Sequence, residues 1–257
     1  MAWWIAPIGV LVGLVLGALG GGGAVLAVPV FVYILGQTPA QATAGSLVVV
    51  GLSALVGVIP HARAGHVRFV DGIVFGVLGV LGSLAGSLAS TSVPGHVLMT
   101  IFAILLLAVA GLMIRKLRRK DEGAGHGQSR SWAVRIVAAT GVGLLTGLLG
   151  VGGGFVVVPV LMLVLGFPMA VAVGTSLVVI AVNALSSLAF RASVGLDIDW
   201  TMTLTFAAFA VLGGLFGSRV GKAVGQRRLS IAFVVMLVLV AGFVAFENIP
   251  ELFQAYP

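Results

Sequence analysis

The chain contains no cysteine. Disulfides, thiolate metal sites and cysteine nucleophiles are therefore excluded from its chemistry. Charge is nearly as scarce: Asp, Glu, Lys and Arg together make up 8% of 257 residues. A soluble domain carries about 25% and cannot cover its surface with so few. Acid is the scarcer sign. The seven carboxylates are Asp71, Asp121, Glu122, Asp197, Asp199, Glu247 and Glu251, and none falls in the middle of an apolar run. No carboxylate proton relay or cation site is visible at membrane depth. His, Asp, Glu and Cys are all missing at mid-depth, so an intramembrane enzyme would lack both a nucleophile with its base and a set of metal ligands. Nothing calls for a cofactor or a resident metal. The apolar runs do not alternate every second residue, which excludes a membrane β-barrel.

What the chain does have is hydrocarbon. It is 60% hydrophobic with a mean hydropathy of +1.23. Apolar segments cover 5–36, 42–60, 72–90, 97–114, 136–166, 170–190, 202–218 and 229–246, the pattern of an all-α polytopic membrane protein. The length suits one transmembrane domain with no soluble catalytic domain. The net charge of +7 does not point to nucleic acid, because the positives sit in short loops, where they orient the chain in the bilayer. The N-terminus has no basic region ahead of its apolar run and is read as part of the first membrane segment.

Two stretches repeat. GALGGGGAVLAVPVFVYILG, residues 17–36, aligns with GLLGVGGGFVVVPVLMLVLG, residues 147–166, and ten of the twenty positions are identical. Pro29 matches Pro159 and Ser46 matches Ser176. After a one-residue slip near Gly65 and Gly195, GSLAGS (82–87) matches GGLFGS (213–218). The chain therefore divides into a first repeat at 1–114, a basic linker at 115–135 and a second repeat at 136–257, a duplicated four-segment unit.

Loop charge decides how each unit crosses. If all eight segments simply span, Arg219, Lys222, Arg227 and Arg228 fall outside and the acidic tail falls inside, against the positive-inside rule. The rule holds everywhere if the first segment of each unit enters, turns at its glycines and leaves by the same side. Those segments, 32 and 31 residues long, are too long for one passage of about 20. The expected fold is two inverted repeats, each a glycine-broken re-entrant helical hairpin followed by three transmembrane helices. Both termini then lie outside and the linker is cytoplasmic. The native chain has no cysteine to remove before testing this. His126→Cys should resist an impermeant thiol reagent applied outside, and Gln254→Cys should react. The opposite labelling would refute the topology.

Inverted repeats with broken helices are the build of secondary transporters, with the substrate held between the halves. A glycine run frees backbone N–H groups and admits a ligand to the chain. The helix that follows presents a positive end, an anion site that needs no cationic side chain. The residues expected to bind substrate are Gly21, Gly22, Gly23, Gly45, Ser46, Gly152, Gly153, Gly154, Thr175, Ser176 and Asn183. Thr43, Ser53, His61, Ser187 and Arg191 extend a polar line along the same helices; Ser176, Asn183, Ser187 and Arg191 share one face. The returning helix of each hairpin starts either at the glycines or at Pro29 and Pro159, where a lost N–H costs nothing. If at the prolines, 24–28 and 154–158 are extended. GSLAGS and GGLFGS read as helix-packing motifs. His96 and His126 read as loop residues. The basic run at 115–120 reads as an orientation signal with affinity for membrane lipids. Association into a homo-oligomer is left open.

GxGGGxxxVPxL followed by AxxxGTSLxxI, in two copies, resembles the TauE/SafE family of membrane permeases, the sulfite exporters. GVGGGFVVVPVLMLVLGFPMAVAVGTSLVVI, residues 150–180, carries the pattern throughout. The first copy departs from it, with GGGG at 20–23 and AGSL at 44–47. The resemblance covers nearly the whole chain. It implies export of a small sulfur-containing anion, sulfite or an organosulfonate such as sulfoacetate, across the bacterial cytoplasmic membrane. Export of another small organic or inorganic anion, and a non-transporting membrane assembly subunit, are the alternatives.

Overall fold

The structure is a computed structural model that describes residues 4–90, 95–118, 132–149, 154–194 and 198–255. In the first half α1 (Ile5–Leu19) ends in a 3₁₀ turn at Gly20–Gly23. α2 (Ala24–Pro29) follows and loosens into a π-helical turn at Val30–Ile34. Then come α3 (Pro39–Arg63), α4 (Phe69–Ser90) and α5 (Gly95–Arg118). The second half has the same order: α6 (Trp132–Leu149), α7 (Gly154–Leu163), α8 (Met169–Val194), α9 (Trp200–Val224) and α10 (Gln226–Ala255). No strand occurs among the described residues.

Six helices among the described residues are long and apolar enough to cross a bilayer: α3, α4 and α5 in one half, α8, α9 and α10 in the other. α1 has 15 residues, and the apolar stretch of α6, Trp132–Thr146, is equally short, below the ~20 that a full passage takes. Large side chains such as Val70, Leu81, Ile104, Leu239 and Phe246 are exposed along the long helices, where hydrocarbon solvates them. The protein is a multi-pass helical membrane protein.

One open alternative is decided. The returning helices begin at the glycines: 24–28 and 154–158 are helical, and Pro159 lies inside α7. A proline within a helix removes an N–H and crowds the carbonyl four residues back. In the first half the π turn follows directly after Pro29, at Val30, as expected where the regular ladder is interrupted. Both ends of the 115–135 stretch are helical, since α5 runs to Arg118 and α6 is described from Trp132. His96 belongs to the first turn of α5 rather than to a loop, and His126 lies outside the described residues.

Both returning arms end alike. Leu35 N–H donates to Val30 O and Gln37 N–H to Phe31 O; Leu165 N–H donates to Val160 O and Phe167 N–H to Leu161 O. Gly36 (φ 66°) and Gly166 (φ 70°) supply the left-handed residue that lets the chain fold back onto these last carbonyls.

Glycines also set the helix packing. A methyl group added at Gly13 would overlap Ala210 O, one at Gly17 would overlap Gly214 O, and one at Gly217 would overlap Leu14 O. α1 and α9 thus run parallel with their backbones in contact, the close approach that small residues permit. The same contacts recur between α6 and α4: Gly143 against Gly79 O, and Gly82 against Thr140 O. They correspond, residue for residue, to Gly13 against Ala210 O and Gly213 against Val10 O. GSLAGS and GGLFGS therefore contribute packing glycines, as expected. α3 and α8 run antiparallel: Gly51 meets Ala184, Gly57 meets Leu177, and His61 meets Gly174. α4 and α8 run parallel, with Gly72 on Val178, Gly76 on Val182 and Gly79 on Asn183. α6 and α8 therefore point the same way, and the chain between them runs back.

Candidate functional site

The first glycine turn meets the start of α7. Gly21 lies so close to Gly154 that an added methyl group would overlap the Gly154 carbonyl. A methyl group at Gly154 would sit 3.0 Å from Gly21 Cα and 3.0 Å from Ile180 Cδ1. Gly20 (φ 67°) breaks α1 in a conformation that other residues resist. Its hydrogen faces Ser176, whose Oγ would be 2.6 Å from an added methyl group. Ser176 is fully buried and donates to Val173 O at 2.8 Å. The serine of the second half thus sits on the turn of the first, a crossing that nothing in the linear order announces. Gly22 and Gly23 share the 3₁₀ turn; Gly152 and Gly153 lie outside the described residues.

The other expected residues lie along α3 and α8. Gly45 is buried, and a methyl group there would come within 2.8 Å of Phe31 Cε1 and 3.0 Å of Thr203 Oγ1. Thr175 is fully buried but faces away from the turns: its Oγ1 accepts from the Arg68 N–H at 3.1 Å. Ser46 and Ser53 are buried on α3. Asn183 packs over Gly79, and its Oδ1 is buried without a partner among the described residues, as is Ser53 Oγ. These two stand at corresponding positions of α3 and α8, each within two residues of its helix's midpoint. Ser187 is half-buried on α8. Thr43 and Arg191 lie in α3 and α8, with side chains outside the description.

His61 is buried, and its Nε2 lies 3.3 Å from Gly17 O. In the Nε2–H tautomer the imidazole donates to a last-turn carbonyl of α1, which has no partner within its own helix. Lys116 Nζ does the same for α7, donating to Met162 O at 2.7 Å.

Two features were not legible from the sequence. Asp71 and Arg135 form a 2.6 Å ion pair between the first turns of α4 and α6, with Asp71 buried. Helix starts favour acid, but no spacing rule joins residues so far apart. Thr203 is fully buried, and its Oγ1 has no partner among the described residues. It restores a lost symmetry. Gly45 of α3 faces Thr203 of α9, while at the corresponding place Thr175 of α8 lies by Gly72 of α4. Each place holds one glycine and one threonine, exchanged between helices. Two cavities lie away from the turns. One of about 710 Å³ lies between α5 and α10. One of about 230 Å³ is bordered by Ile34, Asp199, Met202 and Thr205.

A family model described as "Sulfite exporter TauE/SafE" matches residues 5–244. The chain belongs to the TauE/SafE family. Among curated proteins, a probable membrane transporter protein of Xylella fastidiosa is 32% identical over 248 residues, covering 93% of both chains. The probable membrane transporter protein YunE of Bacillus subtilis is 25% identical over 267 residues, covering 95% of this chain and 97% of its own. Another in Methanocaldococcus jannaschii is 26% identical over 194 residues, covering 72% of this chain and 71% of its own. No solved structure matches the chain. The family and these relatives make it a membrane transporter. The match runs through both glycine turns, so the crossing of the two halves lies inside the family's shared region.

Proposed function

We propose that the protein exports a small sulfur oxyanion or organosulfonate, sulfite or a compound such as sulfoacetate, through a site at the crossing of the two glycine turns. The observation that carries this reading is the backbone contact of Gly21 with Gly154, with Ser176 against Gly20. α7, described from Gly154, lies against the Gly20–Gly23 turn, and N–H groups at a helix start favour an anion. The antiparallel course of α3 and α8, which are corresponding helices, supports inverted halves. In this arrangement one half rocks against the other about the substrate.

Corresponding positions differ in charge across the molecule. Arg68 stands over the Phe167 ring at 4.7 Å. The residues at the corresponding places are Asp199 and Gln37. With the linker cytoplasmic, a cation gathers the anion at the inner mouth and a carboxylate disfavours it at the outer mouth; this sets the apparent affinity on each side, while the net direction follows the electrochemical gradient. His61 and Arg63 add to the inner positive field.

Flux into and out of proteoliposomes with sulfite, sulfate, alkanesulfonates and carboxylates tests the assignment. Saturable movement of sulfite or a sulfonate supports it. Movement of carboxylates alone would transfer the reading to another small anion, and no flux of any solute would favour an assembly subunit. Ser176→Ala and Asn183→Ala should each weaken substrate binding by about 1–3 kcal/mol, the cost of stranding a buried polar partner. The half-saturating concentration in the same assay checks this; an unchanged value in both variants would remove α8 from the site.

A further inference from the structure

We propose that the groove between the basic ends of α5 and α10 is a binding site for an anionic phospholipid of the surrounding bilayer. The cavity there measures about 710 Å³, within the range of ~300–1,000 Å³ typical of ligand sites. Its walls are hydrocarbon, with Ile114 and Leu117 from α5 and Ile231 and Val235 from α10. Its charged members are Arg118, in the last turn of α5, and Arg227, in the first turn of α10. No ion pair to either arginine occurs among the described residues.

An apolar trough closed at one end by two guanidinium groups matches an amphiphile with an anionic head. Hydrocarbon chains fill the trough, and a phosphodiester accepts from both arginines, whose planar forks suit phosphate oxygens. The feature is confined to one end of the helix pair. Toward the opposite end the chain of α10 carries Glu247 and Glu251, and an acidic surface repels the same head. Loop charges place the arginines on the cytoplasmic side, where basic pockets between membrane helices meet anionic lipid. A bare orientation signal would need the arginines but not the trough beneath them.

Native mass spectrometry of the full chain in neutral detergent, with equal phosphatidylglycerol and phosphatidylcholine, tests the site. The protein should retain phosphatidylglycerol in preference. Arg118→Gln with Arg227→Gln should weaken that retention about 30-fold, two charges at ~1 kcal/mol each. Arg63→Gln with Arg219→Gln, exposed cations elsewhere on the same side, should leave it unchanged. Val235→Trp, at an exposed position of the trough wall, keeps both arginines and should also lose the lipid. Equal losses in the two arginine pairs would reduce the effect to diffuse surface charge. Retention in the Val235→Trp variant would refute the groove. A lipid-free dimer that Val235→Trp dissociates would show that a second copy occupies it instead.

Discussion

Gly21→Ala should cripple transport while the protein still reaches the membrane. The added methyl group would overlap the carbonyl of Gly154. Neither partner is a side chain that can swing away; both are backbone, so the two turns must separate. Overpacking of this kind costs about 1–3 kcal/mol. If the strain falls on the state in which the turns touch, that state is depopulated by up to ~150-fold. A transporter that must pass through it loses flux by a similar factor. Gly154→Ala should be milder, because its methyl group would lie 3.0 Å from Gly21 Cα and from the movable end of Ile180. Gly111→Ala and Gly141→Ala meet nothing within 4 Å and should leave flux unchanged, with thermal stability unchanged or raised, since Ala suits a helix interior better than Gly by about 0.5–1 kcal/mol. Sulfonate flux beside the detergent-solubilised melting temperature separates the cases. Full transport by Gly21→Ala would show that the contact is not part of the working cycle.

That contact marks the boundary between what the sequence states and what it leaves unsaid. Hydropathy and loop charge were enough to expect three full spans per half and a first segment of a different kind. The short α1 and α6 beside six long helices agree with this. The glycine turns could be found because four clustered glycines are intolerable inside a lipid-exposed helix. Their partners could not. Ser176 belongs to the repeat that carries Gly150–Gly154, yet it packs on Gly20 of the other repeat. A linear pattern orders residues along one half, and the crossing of halves is a tertiary fact. The exchange of Gly45 and Thr203 for Thr175 and Gly72 is invisible for the same reason. Alignment of the repeats gives two mismatches, and only proximity shows that they compensate. The prolines left a choice open for a different reason. Proline is compatible with a helix start and with a tolerated interior site, and which one occurs depends on where the turn ends. Here the chain is already helical at Ala24 and at Gly154, before either proline is reached.

Export of a monovalent alkanesulfonate should be electrogenic, and its equilibrium gradient should follow the membrane potential. The proposed site would hold charge with backbone dipoles and hydroxyl groups, with no cation travelling beside the substrate. A carried anion then moves one net negative charge outward. An inside-negative potential contributes about 2.3 kcal/mol per charge per 100 mV, which corresponds to a gradient of about 50-fold. The value does not depend on how the protein inserts into vesicles, because a uniporter in either orientation relaxes to the same equilibrium. Vesicles loaded with labelled sulfonate and clamped with potassium and valinomycin give the measurement directly. Outside accumulation should rise about 50-fold for each 100 mV of inside-negative potential and vanish when the potential is zero. A gradient indifferent to potential would mean that a proton leaves with each anion. His61 would then be the first residue to examine, since it is the buried imidazole that ties α3 to Gly17 of the first hairpin. A gradient that follows potential with the opposite sign would mean that net positive charge moves outward, and the glycine turns would then have been misassigned as an anion site.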